Sequence, residues 1–363
     1  MSVSEAAVRA AVESYVEPYL GRSLGAAGAI AAFALADGRL ALTLELGFPT
    51  LGYAHELQAA LAGHLAAAGL DVALTLQLTS RIAAHAVQRH LKPLAAVRNI
   101  IAVASGKGGV GKSTVAVNLA LAWAAGGARV GILDADIYGP SQPLMLGLTG
   151  QRPASPDGTR ILPLPAHGLA AMSIGFLVDP AQAVVWRGPM VTQALTQLLT
   201  DTDWGDLDYL VVDMPPGTGD IQLTLAQRVP VAGAVIVTTP QDIALADARK
   251  GLSMFEKVSV PVLGIVENMS LYTCTHCGHT ESIFGAGGGA RMAAEYSLPL
   301  LGELPLDGRI RAETDGGVPT VVAAPDSERG RAYIEMARRT AAALARRGPD
   351  RSSVFPKIVV EDS

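Results

Sequence analysis

Hydrophobic and polar positions follow two different periods in the first part of the chain. Apolar residues recur at helical spacing in SEAAVRAAVESYVEPYL (4–20) and AHELQAALAGHLAAAG (54–69). Alternating runs on either side of the turn ADGR (36–39) predict two strands, and LDVALTLQL (70–78) predicts a third. Residues 1–90 are therefore predicted to form a small α+β domain.

The pattern changes after residue 98, where short runs that are apolar throughout alternate with helical patterns. These runs are NIIAVAS, ARVGILDAD, LDYLVVDMPPG, GAVIVTTPQD, PVLGIVENMS and LPLLGELPLD. Strands that are apolar on both faces are typical of a parallel sheet with helices on both sides. The predicted fold class is α/β, a mostly parallel sheet flanked by helices, following the small α+β domain. We expect a linker at 91–98, this sheet domain at 99–347 with a last helix at 327–347, and a flexible tail at 348–363.

Net charge, cysteine content and hydrophobic pattern limit the partners and the cellular compartment that we expect for this protein. The net charge of −5 over 363 residues argues against nucleic acid or an anionic membrane as the main partner. Two cysteines provide no disulfide framework and suit a reducing compartment. The N-terminal residues do not have the pattern of a signal peptide, and the longest uncharged apolar segment, 113–128, is shorter than a membrane span. We expect a cytoplasmic protein with no membrane or nucleic-acid partner.

The segment GKGGVGKS (106–113) follows an apolar run, precedes a helical pattern and matches the phosphate-binding motif G-x-x-x-x-G-K-[ST]. Its glycines let backbone N–H groups converge on phosphate oxygens, and the following helix adds its positive end. We expect Lys112 to bridge the β and γ phosphates of ATP and Ser113 to offer a hydroxyl to Mg²⁺. The predicted ATP-binding residues of this loop are Gly106, Lys107, Gly108, Gly109, Val110, Gly111, Lys112, Ser113 and Thr114.

Carboxylates are predicted at the carboxyl ends of two strands, the edge where ligands bind in such sheets. Asp213 ends an apolar run and is expected to hold Mg²⁺ through water, and the switch loop after it carries Gly217 near the γ-phosphate. In ILDADIYGPS we assign Asp134 to Mg²⁺ and Asp136, which lies further out, to orienting the attacking water. The alternative for both is a solvated acid in a turn.

The segment LYTCTHCGHTES holds both cysteines, Cys274 and Cys277, three positions apart. Two thiolates are half of the protein ligands that a tetrahedral zinc or an iron–sulfur cluster normally takes. His276 and His279 lie in the same segment, so the residues alone leave a zinc site open. Lys107 is a second lysine in the phosphate loop, and a solvated loop lysine is its simplest interpretation.

Together the motifs resemble the Mrp/ApbC family of deviant-Walker-A ATPases, whose members carry iron–sulfur clusters. The resemblance covers about 98–325 and rests on GKGGVGKS, LDADIYGPS, DMPPGTGD, TTPQDIALADARKG, VENMS, the C-x-x-C pair and FGAGGGARMA. The N-terminal block is similar to the MIP18-type domain that precedes the ATPase in many members, without the cysteine often found there.

The resemblance implies a homodimer that binds ATP and Mg²⁺, hydrolyses ATP and transfers a cluster from a donor to apo target proteins. It implies that Lys107 reaches the partner's nucleotide as a catalytic residue together with Lys112 and Asp136. It also implies that Cys274 and Cys277 of two subunits share one [4Fe–4S] cluster, for which Zn²⁺ is an alternative occupant. The adenine contacts that it implies are Asn268, Pro305 and Leu306.

Three other functions remain open from the residues. A positioning ATPase of the MinD/ParA type would need a membrane-binding helix or a DNA-binding surface, and the alanine-rich face of the last helix does not favour one. A zinc-clasped adaptor would use Cys274 and Cys277 as a structural pair. An adaptor that binds ATP without hydrolysis keeps every motif, so turnover alone separates it from an ATPase.

Overall fold

The structure, a computed structural model, describes residues 4–177, 188–274, 276–348 and 350. Most of the predicted tail, 351–363, lies outside these residues. The elements of the first part are α1 Glu5–Ser14, β1 Val16–Glu17, β2 Arg22–Ser23, α2 Leu24–Ala27, β3 Ile30–Ala36, β4 Arg39–Leu46, α3 Ala54–Ala67 and β5 Ala73–Ser80.

The predicted hairpin and third strand of the first part are confirmed. β3 and β4 pair antiparallel across Asp37 and Gly38, whose positive φ angles of 49° and 73° suit a two-residue hairpin turn. β5 runs parallel to β4, and alternate leucines of β4 are buried. The first helical pattern ends earlier than predicted, at Ser14, because Val16–Glu17 pairs with Arg22–Ser23.

The second part contains the predicted alternation of strands and helices. Its elements are β6 Val97–Ala104, α4 Lys112–Ala125, β7 Val130–Asp134, α5 Gln142–Met145, β8 Leu164–Ala166, β9 Leu169–Ser173, α6 Gly188–Asp201, β10 Leu207–Asp213, α7 Asp220–Arg228, β11 Gly233–Thr238, α8 Asp242–Lys257, β12 Val262–Glu267, β13 Tyr272–Thr273, β14 Thr280–Glu281, α9 Gly288–Glu295, β15 Leu300–Glu303, α10 Gly308–Asp315, α11 Thr320–Ala323 and α12 Glu328–Ala345.

The central sheet has the order β15-β12-β11-β6-β10-β7-β9-β8, with all neighbours parallel except the edge pair β8–β9. Every residue of β10 and β11 is buried, because helices cover both faces of the sheet. The predicted α/β class is confirmed. β6 connects through α4 to β7 on one side, whereas β10 connects through α7 to β11 on the other side of β6. The strand order therefore reverses beside β6, where a crevice forms at the carboxyl ends of the strands.

The segment that joins the first part of the chain to the central-sheet part packs against the central-sheet part. β6 begins at Val97, inside the segment 91–98 predicted as a linker, because Val97 already pairs with Leu207. Gln88 is buried, donates to Ala226 O at 2.8 Å and accepts from Val231 N at 3.1 Å. The segment before β6 is therefore packed rather than extended through solvent.

Helix α12 joins the two parts on its opposite faces. Trp123 of α4 donates through Nε1 to Ala337 O at 2.8 Å, and its ring stacks on Tyr209 of β10. On the other side, Tyr19 OH donates to Glu335 at 2.5 Å, and the guanidinium of Arg338 lies 4.9 Å from the ring centre of Tyr53. In the described ranges no helix combines the length and apolar character needed to span a bilayer.

Candidate functional site

The predicted phosphate loop joins the carboxyl end of β6 to the start of α4. Gly109 and Gly111 both have φ of 81°, a left-handed conformation that glycine adopts readily. At Gly106 a Cβ atom would overlap the backbone of Asp247 in α8, so only glycine fits there. Among the described residues, no acceptor is found for the N–H groups of 106–111. The loop therefore presents a row of unpaired donors at a helix N-terminus, the arrangement that binds phosphate.

Lys112 lies at the centre of a buried polar network. Its Nζ forms an ion pair with Asp213 and donates to Ser113 Oγ at 3.0 Å. Lys112 is 6% exposed and Asp213 is fully buried. Gln142 of α5 donates from Nε2 to Asp213 Oδ2 at 2.9 Å and to Ser113 O at 3.2 Å. The sequence analysis missed Gln142; its place just beyond the acidic segment ILDADIYGPS was the only signal for it.

Asp134 is fully buried at the end of β7 and accepts several hydrogen bonds. Its Oδ1 accepts from Asp136 N at 3.1 Å. Its Oδ2 accepts from the N–H groups of Ser141 and Gln142, both at 3.0 Å, and from Ser173 Oγ at 3.1 Å. Burial and the nearby charge of Asp213 raise the pKa of Asp134, and these donors oppose the rise. Asp134 thus anchors the loop after β7, and Ser173 was not found from sequence.

Asp136 is half-buried beside the same network. Burial raises the pKa of its carboxyl, and the positive charge of Lys112 opposes that rise. The structure brings Asp136, Asp134 and Asp213 to the ends of neighbouring strands, as predicted.

The oxygens around Ser113 suit a hard cation. The Ser113 hydroxyl, the Asp213 carboxylate and the Gln142 amide meet here, and Gln142 Oε1 is buried without a hydrogen-bond donor. Mg²⁺ takes oxygen ligands and keeps several waters, so this donor set fits it. Asp134, the third ligand predicted for Mg²⁺, accepts four hydrogen bonds with its two oxygens.

The switch loop and Lys107 flank the phosphate loop. Gly217 has φ of 97° and donates from its N–H to Ser105 O at 3.0 Å, which ties the loop after β10 to the start of the phosphate loop. Lys107 O accepts from Ser105 Oγ at 2.9 Å. Within the described ranges no carboxylate pairs with the Lys107 ammonium. The Lys107 side chain is partly exposed at the start of the loop.

The predicted adenine contacts lie on two neighbouring loops. Asn268 follows β12, is 6% exposed, and donates from Nδ2 to Val110 O at 2.9 Å. That bond leaves its Oδ1 as the acceptor available to a base amino group. Pro305 and Leu306 follow β15, and Leu306 N donates to Leu271 O at 2.8 Å. The loops of Asn268 and Leu306 are thus in direct contact.

The two cysteines lie in the loop of a short hairpin formed by β13 and β14. Cys274 N donates to His279 O at 2.8 Å, and Gly278 N donates to Cys274 O at 2.9 Å. Cys274 is partly exposed and Cys277 is exposed, and both are free thiols. The backbone N–H groups of Cys277 and His276 stabilise the Cys274 thiolate and lower its pKa. A lowered pKa favours the thiolate, the form in which cysteine binds metals.

One chain does not gather a complete metal-ligand set around this hairpin. In the part of the chain that the structure describes, no three His, Cys, Asp or Glu side chains are grouped to hold a metal ion. His276 and His279 therefore do not complete a Cys₂His₂ site with the cysteines here. The hairpin offers two free cysteines, one partly exposed and one exposed.

A parallel sheet with a glycine-rich loop after β6, a buried lysine in that loop and acids at neighbouring strand ends defines a P-loop NTPase. The chain belongs to one family of this class, the NUBPL iron-transfer P-loop NTPases, whose model matches residues 96–341. A second family model, described as iron-sulfur cluster assembly protein, matches residues 5–73. The resemblance inferred from the motifs is confirmed.

Similar proteins come from bacteria, archaea and animals. The iron-sulfur cluster carrier protein of Haemophilus influenzae is 61% identical over 264 residues, which are 73% of this chain and 70% of that protein. The iron-sulfur cluster transfer protein NUBPL of Mus musculus is 54% identical over 248 residues, 68% of this chain and 77% of that protein. A nucleotide-binding protein of Archaeoglobus fulgidus, solved with ADP, is 40% identical with a TM-score of 0.56, covering 62% of this chain and 89% of that one.

Proposed function

We propose that this protein is an ATP-dependent iron–sulfur cluster carrier that works as a homodimer in the cytoplasm. One labile [4Fe–4S] cluster is its cargo, bound by Cys274 and Cys277 of both subunits. The observation that carries this proposal is the surface hairpin with two free cysteines, in a member of an iron-transfer family. The division into residues 1–90 and 99–347 is part of the proposal.

The shared cluster follows from the number of ligands. A [4Fe–4S] cluster takes four thiolates, and each chain provides two on an exposed hairpin. A two-fold axis through the hairpins supplies the other two from the same residues of the partner. A cluster held between subunits leaves when the interface opens, which suits a protein that receives clusters from a donor and gives them to apo target proteins.

ATP binds with its phosphates on the unpaired N–H groups of 106–111. Lys112 pairs with Asp213, and phosphate oxygens offer its ammonium a second anionic partner. Ser113 and Asp213 hold Mg²⁺, which when bound supplies positive charge to the phosphates. Asp134 fixes the loop that carries Asp136.

Hydrolysis is the second half of the cycle. Asp136 lies half-buried near Lys112 and orients the attacking water. Lys107, which has no carboxylate partner within the described ranges, reaches the partner's nucleotide and offsets negative charge in the transition state. ATP binding closes the dimer and hydrolysis reopens it, and the two states hold the cluster with different affinity.

Cluster transfer to an apo [4Fe–4S] enzyme tests this function. The anaerobically reconstituted dimer is mixed with the apo enzyme, with or without Mg–ATP, and the recovery of its activity is followed. We expect transfer to require Cys274 and Cys277 and to accelerate with Mg–ATP. A dimer that turns over ATP but never activates the apo enzyme would contradict the carrier function.

A further inference from the structure

Seven residues, Asn268 to Cys274, join the predicted adenine site to the first cysteine. We call residues 268–274 the connector. The connector begins at the carboxyl end of β12 and runs through β13 directly into the hairpin loop. Its contacts show which part of a bound nucleotide the cysteines can sense. The inference rests on the proposed function, because it concerns the same nucleotide and cysteine sites.

The N-terminal end of the connector forms a hydrogen bond with the phosphate loop. Asn268 Nδ2 donates to Val110 O at 2.9 Å, and this bond is buried. Met269 then has φ of 57°, a left-handed conformation that an ordinary side chain rarely adopts. Its Cε lies 3.8 Å from the position that a Cβ on Gly111 would occupy. The chain thus turns at Met269, whose side chain lies beside the phosphate loop.

The middle of the connector is bonded more extensively to the loop after β15, which carries Pro305 and Leu306. Ser270 donates from both its N–H and its Oγ to Leu304 O, each at 3.0 Å. Leu306 N donates to Leu271 O at 2.8 Å, and Tyr272 forms a bridge with Leu306. The connector, which begins with the Asn268 loop, and the loop of Pro305 and Leu306 are therefore joined by hydrogen bonds into one unit.

The C-terminal end of the connector sets the position of Cys274. Tyr272 pairs with Glu281 and Thr273 with Thr280, and the bond from Cys274 N to His279 O continues this register. In a two-stranded pairing the register fixes which way each side chain points. Cys274 directly follows β13, so a change in how rigidly β13 is held also changes the position of the Cys274 side chain.

We propose that the connector makes the geometry of the cysteine hairpin depend on the adenine base of the nucleotide, with Met269 and Ser270 as positioning residues. A base bound against Asn268 and the Pro305–Leu306 loop contacts both segments that hold the connector. The hairpin is then ordered for cluster binding, and it loosens when the base leaves. Phosphates reach the connector only indirectly, through the contacts of Val110 and Gly111 with Asn268 and Met269. This mechanism also gives the carrier a requirement for a nucleotide base, which simple phosphates do not meet.

Hydrogen exchange on the full chain without cluster tests the proposal. Exchange is measured in peptides covering 105–115 and 270–282, with Mg–ADP or with Mg–pyrophosphate, each raised until protection of 105–115 is complete. We expect ADP to slow exchange in 270–282 by about threefold or more, because local opening there is coupled to the base, and pyrophosphate to leave it unchanged. ADP is used because it carries the base without the γ-phosphate that closes the dimer.

Two variants separate positioning from a general structural role. Ser270→Ala removes the Oγ bond to Leu304 O, and Met269→Ala removes the side chain that lies beside Gly111 while keeping a side chain at φ 57°. We expect both to keep ADP protection of 105–115 and to lose at least half of the protection of 270–282. The matched controls are Ser282→Ala, just beyond β14, and Ser297→Ala, at φ of 54° between α9 and β15; both keep the full response.

Three outcomes would overturn the proposal: an unchanged hairpin with ADP, equal protection of the hairpin by pyrophosphate, or full ADP protection of the hairpin in both connector variants. Protection of 105–115 in the same samples shows that each variant is folded and occupied. Because the experiment needs no cluster, its failure leaves the carrier function to be decided by the transfer assay.

Discussion

Replacing Gly111 with alanine perturbs the phosphate loop at the point where it meets the adenine side of the site. Gly111 precedes α4 with φ of 81°, and a Cβ on it would overlap Asn268 Nδ2. The substitution therefore places an alanine in the left-handed conformation. Its methyl group also displaces the Asn268 side-chain amide, which donates to Val110 O.

The cost is the sum of two effects. An L-residue in the left-handed region costs about 1 kcal/mol. Losing the buried bond from Asn268 to Val110 O, with the amide 6% exposed, costs about 1–3 kcal/mol because the carbonyl is left without its partner. We expect Gly111→Ala to lower the free energy of unfolding by about 2–4 kcal/mol.

Two neighbouring glycines provide the controls. Gly109 has the same φ of 81° but nothing within 4 Å of its Cβ position, so Gly109→Ala carries only the conformational cost. Gly108 has neither a positive φ nor a neighbour within 4 Å, so Gly108→Ala is expected to change stability little. Urea unfolding of the three variants without nucleotide gives the free energies, and titration with Mg–ADP gives the effect on affinity.

The ranking of the three variants by their loss in free energy of unfolding tests this reasoning. The structure requires Gly111→Ala to be clearly worse than Gly109→Ala, and Gly109→Ala to be worse than Gly108→Ala. If Gly111→Ala cost no more than Gly109→Ala, Asn268 would not be held against the phosphate loop. The reasoning about the adenine side of the site would then be refuted.

Three further predictions concern charged and thiol groups. Lys112→Met leaves Asp213 buried without its counter-charge and is expected to cost about 3–5 kcal/mol in urea unfolding, part of which Asp213→Asn restores in the double variant. Lys107→Ala is expected to keep ADP affinity and stability but to lose most ATP turnover. In Cys277→Ser, alkylation of Cys274 by iodoacetamide is expected to reach half its maximal rate below the pH typical of a free cysteine, because N–H groups of the loop lower the pKa of the thiol and the thiolate reacts.

Each of these has its own contradicting result. A Lys112→Met protein as stable as the native one would mean that the ion pair contributes nothing to folding. Undiminished ATP hydrolysis in Lys107→Ala would refute a role across the dimer. Alkylation of Cys274 with the pH profile of free cysteine would show that the hairpin N–H groups do not stabilise the thiolate; the double variant Cys274→Ser/Cys277→Ser supplies the background rate.

The sequence predicted the parts of the fold whose pattern is local. Continuous apolar runs gave β10 and β11 because both faces of these strands are buried. Ser327 precedes α12 as its N-cap, accepting from Gly330 N at 3.1 Å, so that helix was placed to within two residues at each end. The start of β6 was missed by two residues, because pairing of Val97 with Leu207 is a tertiary contact.

Short strands and long-range side-chain contacts were not predictable in this way. β13 and β14 have two residues each, too few for any period, so the cysteine hairpin was expected only as a loop. The edge hairpin β8–β9 was missed because it is short and contains a proline. Gln142 and Ser173 joined the acidic network only through the folded sheet. Which residues meet Asp134 and Asp213 is decided by packing, and no motif spacing encodes it.

We propose that Cys274 and Cys277 of two chains share one cluster. Anaerobic reconstitution with iron and sulfide, followed by iron, sulfide and zinc counts and the mass of the assembly, measures this sharing. We expect a dimer with about four iron and four sulfide ions, both lost when Cys274 and Cys277 are changed to serine. Tightly bound zinc with no cluster formed, or a cluster that survives the double substitution, would contradict it.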